Sequence, residues 1–232
     1  DADSVCIILN LDKAMNWDSL VTSDAEAISP TQITGFRYSD GWARNQEVYF
    51  ATKLSRPAAR IERTAIPYTL DSGQECKSVR YGIILRLYYN KVRAGESITL
   101  CTALSGVSEA GALKNLQAEA PHTDFNRYRQ AATQRWDKRL AQIRLSSDTP
   151  DSLQTTFYTA LYRAQICPTL YSDVDGRYLG ADREIHQRAG STYSTFSLWD
   201  TYRAAHPLYS ILQPNLQRDF VQSLIDFGEQ NE

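Results

Sequence analysis

Val79-Arg80-Tyr81-Gly82-Ile83-Ile84-Leu85-Arg86-Leu87-Tyr88-Tyr89 is the stretch on which the fold of the first half turns. Strict alternation puts Val79, Tyr81, Ile83, Leu85, Leu87 and Tyr89 on one side, which predicts a β-strand with that side in a core. The same texture continues outward. Gln32 to Tyr38 and Glu47 to Leu54 are strand candidates meeting around Asp40-Gly41, and Asp-Gly between such runs is a hairpin signal. Asp71-Ser72-Gly73 and Ala94-Gly95-Glu96 punctuate later strands. Val5 to Ala103 therefore reads as short strands and turns, the pattern of an antiparallel β-sandwich.

After Ala103 the period changes. Ser108 to Gln117 predicts a short helix; Phe125, Tyr128, Ala132, Trp136, Leu140 and Ile143 then recur at helical spacing behind Asp124, a good N-cap. Asp148-Thr149-Pro150 starts another helix with Pro at its first position, striped by Leu153, Phe157 and Leu161 and ended by Pro168. Leu198 to Leu212 is helical with a kink or break expected at Pro207, and a helix through Leu216, Phe220 and Leu224 closes at Gly228. The second half thus reads as the opening of an all-helical domain. Because Asp1 to Leu11 runs straight into Val5-Cys6-Ile7-Ile8-Leu9, the chain is expected to be entered part-way through a domain.

With 42% hydrophobic residues in 232, the chain buries a real core, as one large domain or two small ones. Its 25 basic and 27 acidic residues nearly cancel, which argues against nucleic acid or an anionic membrane as partner. No apolar run approaches the roughly 18 residues of a membrane span. Fourteen Tyr and four Trp supply flat, partly polar surfaces suited to sugar rings and equally to cores. Cys6, Cys76, Cys101 and Cys167 lack zinc or redox spacing; Cys6 and Cys101 lie in apolar runs where a buried free thiol is the commoner state, and pairing stays open.

The densest polar and aromatic segment is Thr192-Tyr193-Ser194-Thr195-Phe196-Ser197-Leu198-Trp199-Asp200-Thr201-Tyr202-Arg203, followed by His206-Pro207-Leu208. An indole covers the apolar face of a pyranose, while a neighbouring carboxylate and guanidinium take hydroxyls. Spacing alone favours Trp199 in a core and an Asp200–Arg203 pair at (i, i+3) that binds nothing. Asp173-Val174-Asp175-Gly176 looks like a piece of a calcium loop, but the ligand spacing and terminal Glu are missing, so a turn is expected. His122, His186 and His206 stand outside any metal-ligand spacing, and no Gly-x-Ser-x-Gly, P-loop or dinucleotide fingerprint occurs.

Three ordered blocks resemble glycoside hydrolase family 92, the calcium-dependent exo-acting α-mannosidases. They are Ile33-Thr34-Gly35-Phe36-Arg37 through Gly41-Trp42-Ala43 to Val48-Tyr49-Phe50; Ser108-Glu109-Ala110 with Asn115-Leu116 and Trp136; and Phe157-Tyr158 through Asp173, Asp175-Gly176 and Tyr178 to Ser197-Leu198-Trp199-Asp200-Thr201-Tyr202-Arg203 and His206-Pro207-Leu208. The resemblance implies a multidomain α and β protein: a β-sandwich over 1–107 whose opening precedes Asp1, a helical linker over 108–147, and the first helices of an (α/α)6 barrel over 148–232. It implies removal of terminal α-mannosyl residues, often α-1,2-linked, with inversion, by a secreted, periplasmic or cell-surface bacterial enzyme acting on mannose-containing glycans.

Within that family the acid, the base and most calcium ligands come from later in the barrel than the Trp-Asp-Thr block. The resemblance therefore assigns this segment no catalytic residue and no calcium ligand, and the chain alone is expected to be inactive. It makes Asp200 a contact to hydroxyls of the terminal mannose, with Trp199, Arg203 and His206 beside it. Uncovered apolar faces are expected on the helices after Thr149. The alternative is a carbohydrate-binding or structural module without an acid/base pair.

Overall fold

In the computed structural model, residues 2–13, 18–69 and 79–231 are described, and the chain divides into two compact units, Asp1–Thr123 and Asp124–Glu232. The turn expected at Asp71-Ser72-Gly73 and the thiol of Cys76 lie outside the described residues.

Among the described residues the first unit holds seven strands: β1 (Ala2–Asn10), β2 (Ser19–Ser29), β3 (Gln32–Asp40), β4 (Gln46–Leu54), β5 (Arg60–Thr69), β6 (Val79–Val92) and β7 (Leu100–Ser105), followed by helix α1 (Glu109–Glu119). They form two antiparallel sheets, ordered β1-β6-β5 and β2-β3-β4-β7. The alternation read around Leu85 is what joins them. Ile83, Leu85, Leu87 and Tyr89 of β6 are fully buried with Ala25 of β2, Ile33 of β3 and Phe50 and Leu54 of β4 in a single core cluster. Ser23 of β2 ties the sheets further by accepting the Ile83 N–H at 3.0 Å. Tyr81 departs from the expectation: it is 47% exposed, because the core closes at Ile83 and leaves the start of the strand at its edge.

The hairpin expected at Asp40-Gly41 forms, with Ser39 paired to Gln46 and Tyr38 to Glu47. In the neighbouring β2–β3 pair, Gly35 lets two strands approach: a Cβ there would lie 2.3 Å from the Asp24 carbonyl oxygen and 2.9 Å from the Ala25 Cα. Since backbone cannot swing aside, Gly35→Ala is expected to cost about 1–3 kcal/mol, readable as a lower urea midpoint; an unchanged midpoint would contradict this packing.

On the opposite face of this sheet lies α1. Ser108 caps it, its hydroxyl accepting the Gly111 N–H at 3.0 Å. Small side chains, Ala51 and Ala103 on the sheet and Ala112 on the helix, let α1 seat its Leu116 against the sheet, and Asn115 fastens it by donating to the Leu104 carbonyl at 2.8 Å. Cys6, expected in a core, is exposed on β1, since alternation there buries the odd-numbered neighbours Val5, Ile7 and Leu9 against the core. Cys101 is half-buried, and both thiols are free, as is the exposed Cys167.

The second unit contains α2 (Phe125–Leu140), α3 (Asp151–Ala164), the short strands β8 (Thr169–Leu170), β9 (Arg177–Leu179), β10 (Ile185–Gln187) and β11 (Tyr193–Ser194), then α4 (Leu198–Thr201), α5 (Ala205–Leu212) and α6 (Pro214–Glu229). Asp124 caps α2 as expected, accepting the N–H groups of Asn126 at 3.0 Å and Arg127 at 3.3 Å. Trp136 packs on Tyr162 of α3, ring centroids 4.5 Å apart.

Several boundaries differ from the sequence expectation. Pro150 sits one residue before α3, with an extended ψ of 140°, and the helix ends at Ala164, ahead of Pro168. Of the Leu153-Phe157-Leu161 stripe, only Leu161 is buried. The break expected at Pro207 falls earlier, between α4 and α5. Pro207 is third in α5, within the first turn, where a missing N–H leaves no helical hydrogen bond unmade. Gly228 does not end α6, which runs on to Glu229.

Between α3 and α4 the chain is not helical but forms two antiparallel strand pairs, β8 with β11 and β9 with β10, each too short for period-two alternation to register. Apolar surface is exposed on the helices after Thr149, at Leu153, Ile211, Val221, Ile225 and Phe227 among others.

Candidate functional site

Ser197, Trp199 and Asp200 meet on a single helical turn. The Ser197 carbonyl accepts the N–H groups of Asp200 at 3.0 Å and Thr201 at 3.2 Å, and the Thr201 hydroxyl at 3.1 Å. The Ser197 hydroxyl in turn donates to the Asp200 carboxylate. These bonds orient Asp200 while it stays at the surface. Trp199 beside it is 83% exposed, so the core placement that spacing allowed is not adopted. Nor do Asp200 and Arg203 pair: Arg203 donates from Nε to the Tyr202 hydroxyl at 2.7 Å, its guanidinium 5.3 Å from that ring's centroid.

His206 is placed differently. It is half-buried at the start of α5, with Nδ1 3.1 Å from Gln217 Oε1 and its ring edge-on to Tyr209 and Phe220. Phe220 centres a group of rings drawn from both sides of Ser197–Arg203 in sequence: Tyr193 at 4.7 Å, Tyr209 at 5.5 Å and Phe196 at 6.0 Å between centroids. Burial pushes the Tyr193 and Tyr209 hydroxyls above their ordinary pKa, so both stay protonated as donors. The Tyr209 hydroxyl donates to the Cys167 carbonyl at 3.0 Å and to the Ala164 carbonyl. Helical periodicity singled out Phe220 but not its partners, which come from β11, the segment before α4, and α5.

Asp173 to Gly176 is a turn. The Gly176 N–H donates to the Asp173 carbonyl at 2.9 Å, and Gly176 has φ +81°, a conformation suited to glycine. Asp175 is engaged by Arg177 Nε at 3.0 Å. Among the described residues no three His, Cys, Asp or Glu side chains are grouped to hold a metal ion, so no chemical step is assigned to calcium here.

In the β9–β10 hairpin Asp182 accepts the Glu184 N–H at 3.0 Å and faces His186 Nε2 at 2.8 Å. The Glu184 amide, chiefly, holds the Asp182 carboxyl below its usual range against an opposing burial effect, and His186 adds to the lowering. A depressed carboxylate stabilises the fold above its unfolded pKa of about 3.9 and loses that contribution as pH falls through the lower folded value. Asp182→Asn should therefore be less stable than the parent near pH 6, the gap closing as the medium is acidified below about pH 4. Urea titrations at several pH values check this, and a gap that widens in acid would contradict it.

With this geometry in hand, the chain can be set beside known proteins. Residues 111–232 match the model of the glycosyl hydrolase family 92 catalytic domain. Over 98% of its length the chain superposes on a family GH92 alpha-mannosidase from Bacteroides thetaiotaomicron, at TM-score 0.86 and 28% identity, covering 31% of that protein. The same TM-score is found for that mannosidase in complex with mannoimidazole. A family GH92 inverting mannosidase from Bacteroides thetaiotaomicron superposes over 95% of the chain at TM-score 0.74 and 26% identity, 29% of its own length being covered. An uncharacterized secreted glycosidase of Arthroderma benhamiae is 29% identical over 129 residues, 49% of this chain and 16% of that protein.

A mixed α and β chain built on antiparallel sheets, with these relatives, falls among the glycosyl hydrolase families by sequence and fold. More particularly, it belongs to glycosyl hydrolase family 92. It spans under a third of the length of the solved mannosidases named above. No helix among the described residues is long and apolar enough to cross a membrane.

Proposed function

We propose that this chain is a segment of a secreted, calcium-dependent exo-α-mannosidase that removes terminal α-mannosyl residues, α-1,2-linked ones among them, with inversion. In this reading 1–107 is a β-sandwich, 108–147 a helical linker and 148–232 the start of an (α/α)6 barrel. The segment contributes sugar contacts: Asp200 accepts hydroxyls of the terminal mannose, Trp199 covers the apolar face of a ring, and Arg203 and His206 support them. The acid that protonates the leaving oxygen and the base that activates water, roughly 6.5–9.5 Å apart in an inverting enzyme, belong to other parts of the protein, as do the calcium ligands.

The observation that carries the reading is Trp199, 83% exposed on the same helical turn as a surface carboxylate that Ser197 holds in place. A structural role would bury the indole; a sugar contact needs it open. Secretion is supported by the secreted glycosidase of Arthroderma benhamiae.

The test compares the full-length gene product with the 232-residue chain on 4-nitrophenyl α-mannoside, with and without a calcium chelator. The full-length protein is expected to turn over and to lose activity with the chelator, while the shorter chain releases no nitrophenol. Calcium-dependent turnover by the 232-residue chain alone would place acid and base inside this segment and refute the assignment.

A further inference from the structure

We infer that the tip of the β3–β4 hairpin is a second glycan contact, with Trp42 as a stacking platform and Asp40, Arg44 and Asn45 as hydroxyl partners. The choice of a sugar as occupant rests on the reading of the chain as part of an α-mannosidase. Trp42 is 90% exposed, the most open of the large apolar side chains described. Leaving most of an indole open to water forgoes the burial that usually keeps Trp inside.

The loop that carries it is held in one shape. The Asp40 carboxylate accepts the Asn45 N–H at 2.6 Å, the Gly41 N–H donates to the Ala43 carbonyl at 3.1 Å, and Asn45 takes φ 52°, which Asn tolerates better than most residues. Its base is anchored as well. A Cβ on Gly41 would stand 3.1 Å from the Asp18 Cα, and Asp18 pairs with Arg37 at 2.7 Å. A ring presented on a fixed loop loses little entropy when it meets a ligand.

Around the indole lies an open concavity of about 700 Å³, lined by Ser19, Asp40, Gly41, Trp42, Arg44 and Asn45. One carboxylate, one guanidinium, one amide and one hydroxyl surround one aromatic ring. This lining offers donors and acceptors in mixed array and opposes its charges, as a neutral polyol requires. A protein partner would instead be met by a contiguous apolar patch, and Trp42 is the sole large apolar side chain of the lining.

The experiment is affinity electrophoresis of the full-length protein through native gels containing yeast α-mannan, with Trp42→Ala, Trp42→Tyr and thermal melts of each. The wild type is expected to be retarded, Trp42→Ala to bind mannan about tenfold more weakly at unchanged Tm, and Trp42→Tyr to stay within about threefold of the parent. Wild-type-like retardation of Trp42→Ala, or no retardation of the parent, overturns the platform. So does a lowered Tm with retardation unchanged, which would mean that the indole packs on protein. The two readings fail separately. An active mannosidase whose retardation ignores Trp42 sinks the platform alone, and Trp42-dependent retardation without α-mannoside hydrolysis sinks the mannosidase reading alone.

Discussion

Asp200→Ala in the full-length protein is expected to lower kcat/KM on α-mannosides by roughly a hundredfold or more, with the fold intact. A carboxylate accepting two sugar hydroxyls makes two charge-assisted hydrogen bonds, each worth about 1.5–3 kcal/mol, and their loss leaves the hydroxyls unpaired in a dry subsite. Asp200→Asn keeps an acceptor oxygen and should fall between the two. Ser197→Ala frees the carboxylate without removing it, so a smaller loss, carried mainly in KM, is the corresponding expectation. Steady-state kinetics with circular dichroism as a folding control decides the matter: an Asp200→Ala enzyme within twofold of the parent would exclude the contact.

Phe220→Ala should cost about 3–5 kcal/mol, the range for emptying a large aromatic site in a core. Phe220 is 2% exposed and borders four rings, those of Tyr193, Phe196, His206 and Tyr209. Those neighbours come from both sides of the Ser197–Arg203 segment in sequence, Tyr193 and Phe196 before it and His206 and Tyr209 after it. Phe220→Leu, which fills most of the volume, should cost distinctly less. Urea unfolding monitored by near-ultraviolet circular dichroism measures both, and a Phe220→Ala cost below about 1 kcal/mol would show that the rings do not form a common core.

What could be read from sequence follows from the length over which a physical signal repeats. Period-two alternation from Ile83 to Tyr89 marked the strand that joins both sheets, and Asp40-Gly41 marked the β3–β4 hairpin, because each depends on local chemistry. The cap at Asp124 was legible for the same reason. Tyr81 was misplaced because alternation gives a side and not the point at which the core ends.

The strand pairs between Thr169 and Ser194 were missed since two or three residues cannot display a period, and the break before α5 was assigned to Pro207 although a first-turn proline needs no break. At the site, composition and spacing favoured Trp199 in a core over a sugar contact. Its exposure in the fold removes the core placement. The meeting of Tyr193, Phe196, His206 and Tyr209 around Phe220 was not legible, because Phe220 stands more than a helix away in sequence and contact between them needs the tertiary fold.

The most direct measurement of the central claim is proton NMR of the full-length protein acting on an α-1,2-linked mannobioside, recording the anomeric form of the first mannose released. An inverting exo-α-mannosidase gives β-mannose first, with the α-anomer growing in later by mutarotation. Release of α-mannose first, or no release of mannose from the non-reducing end, would contradict the account.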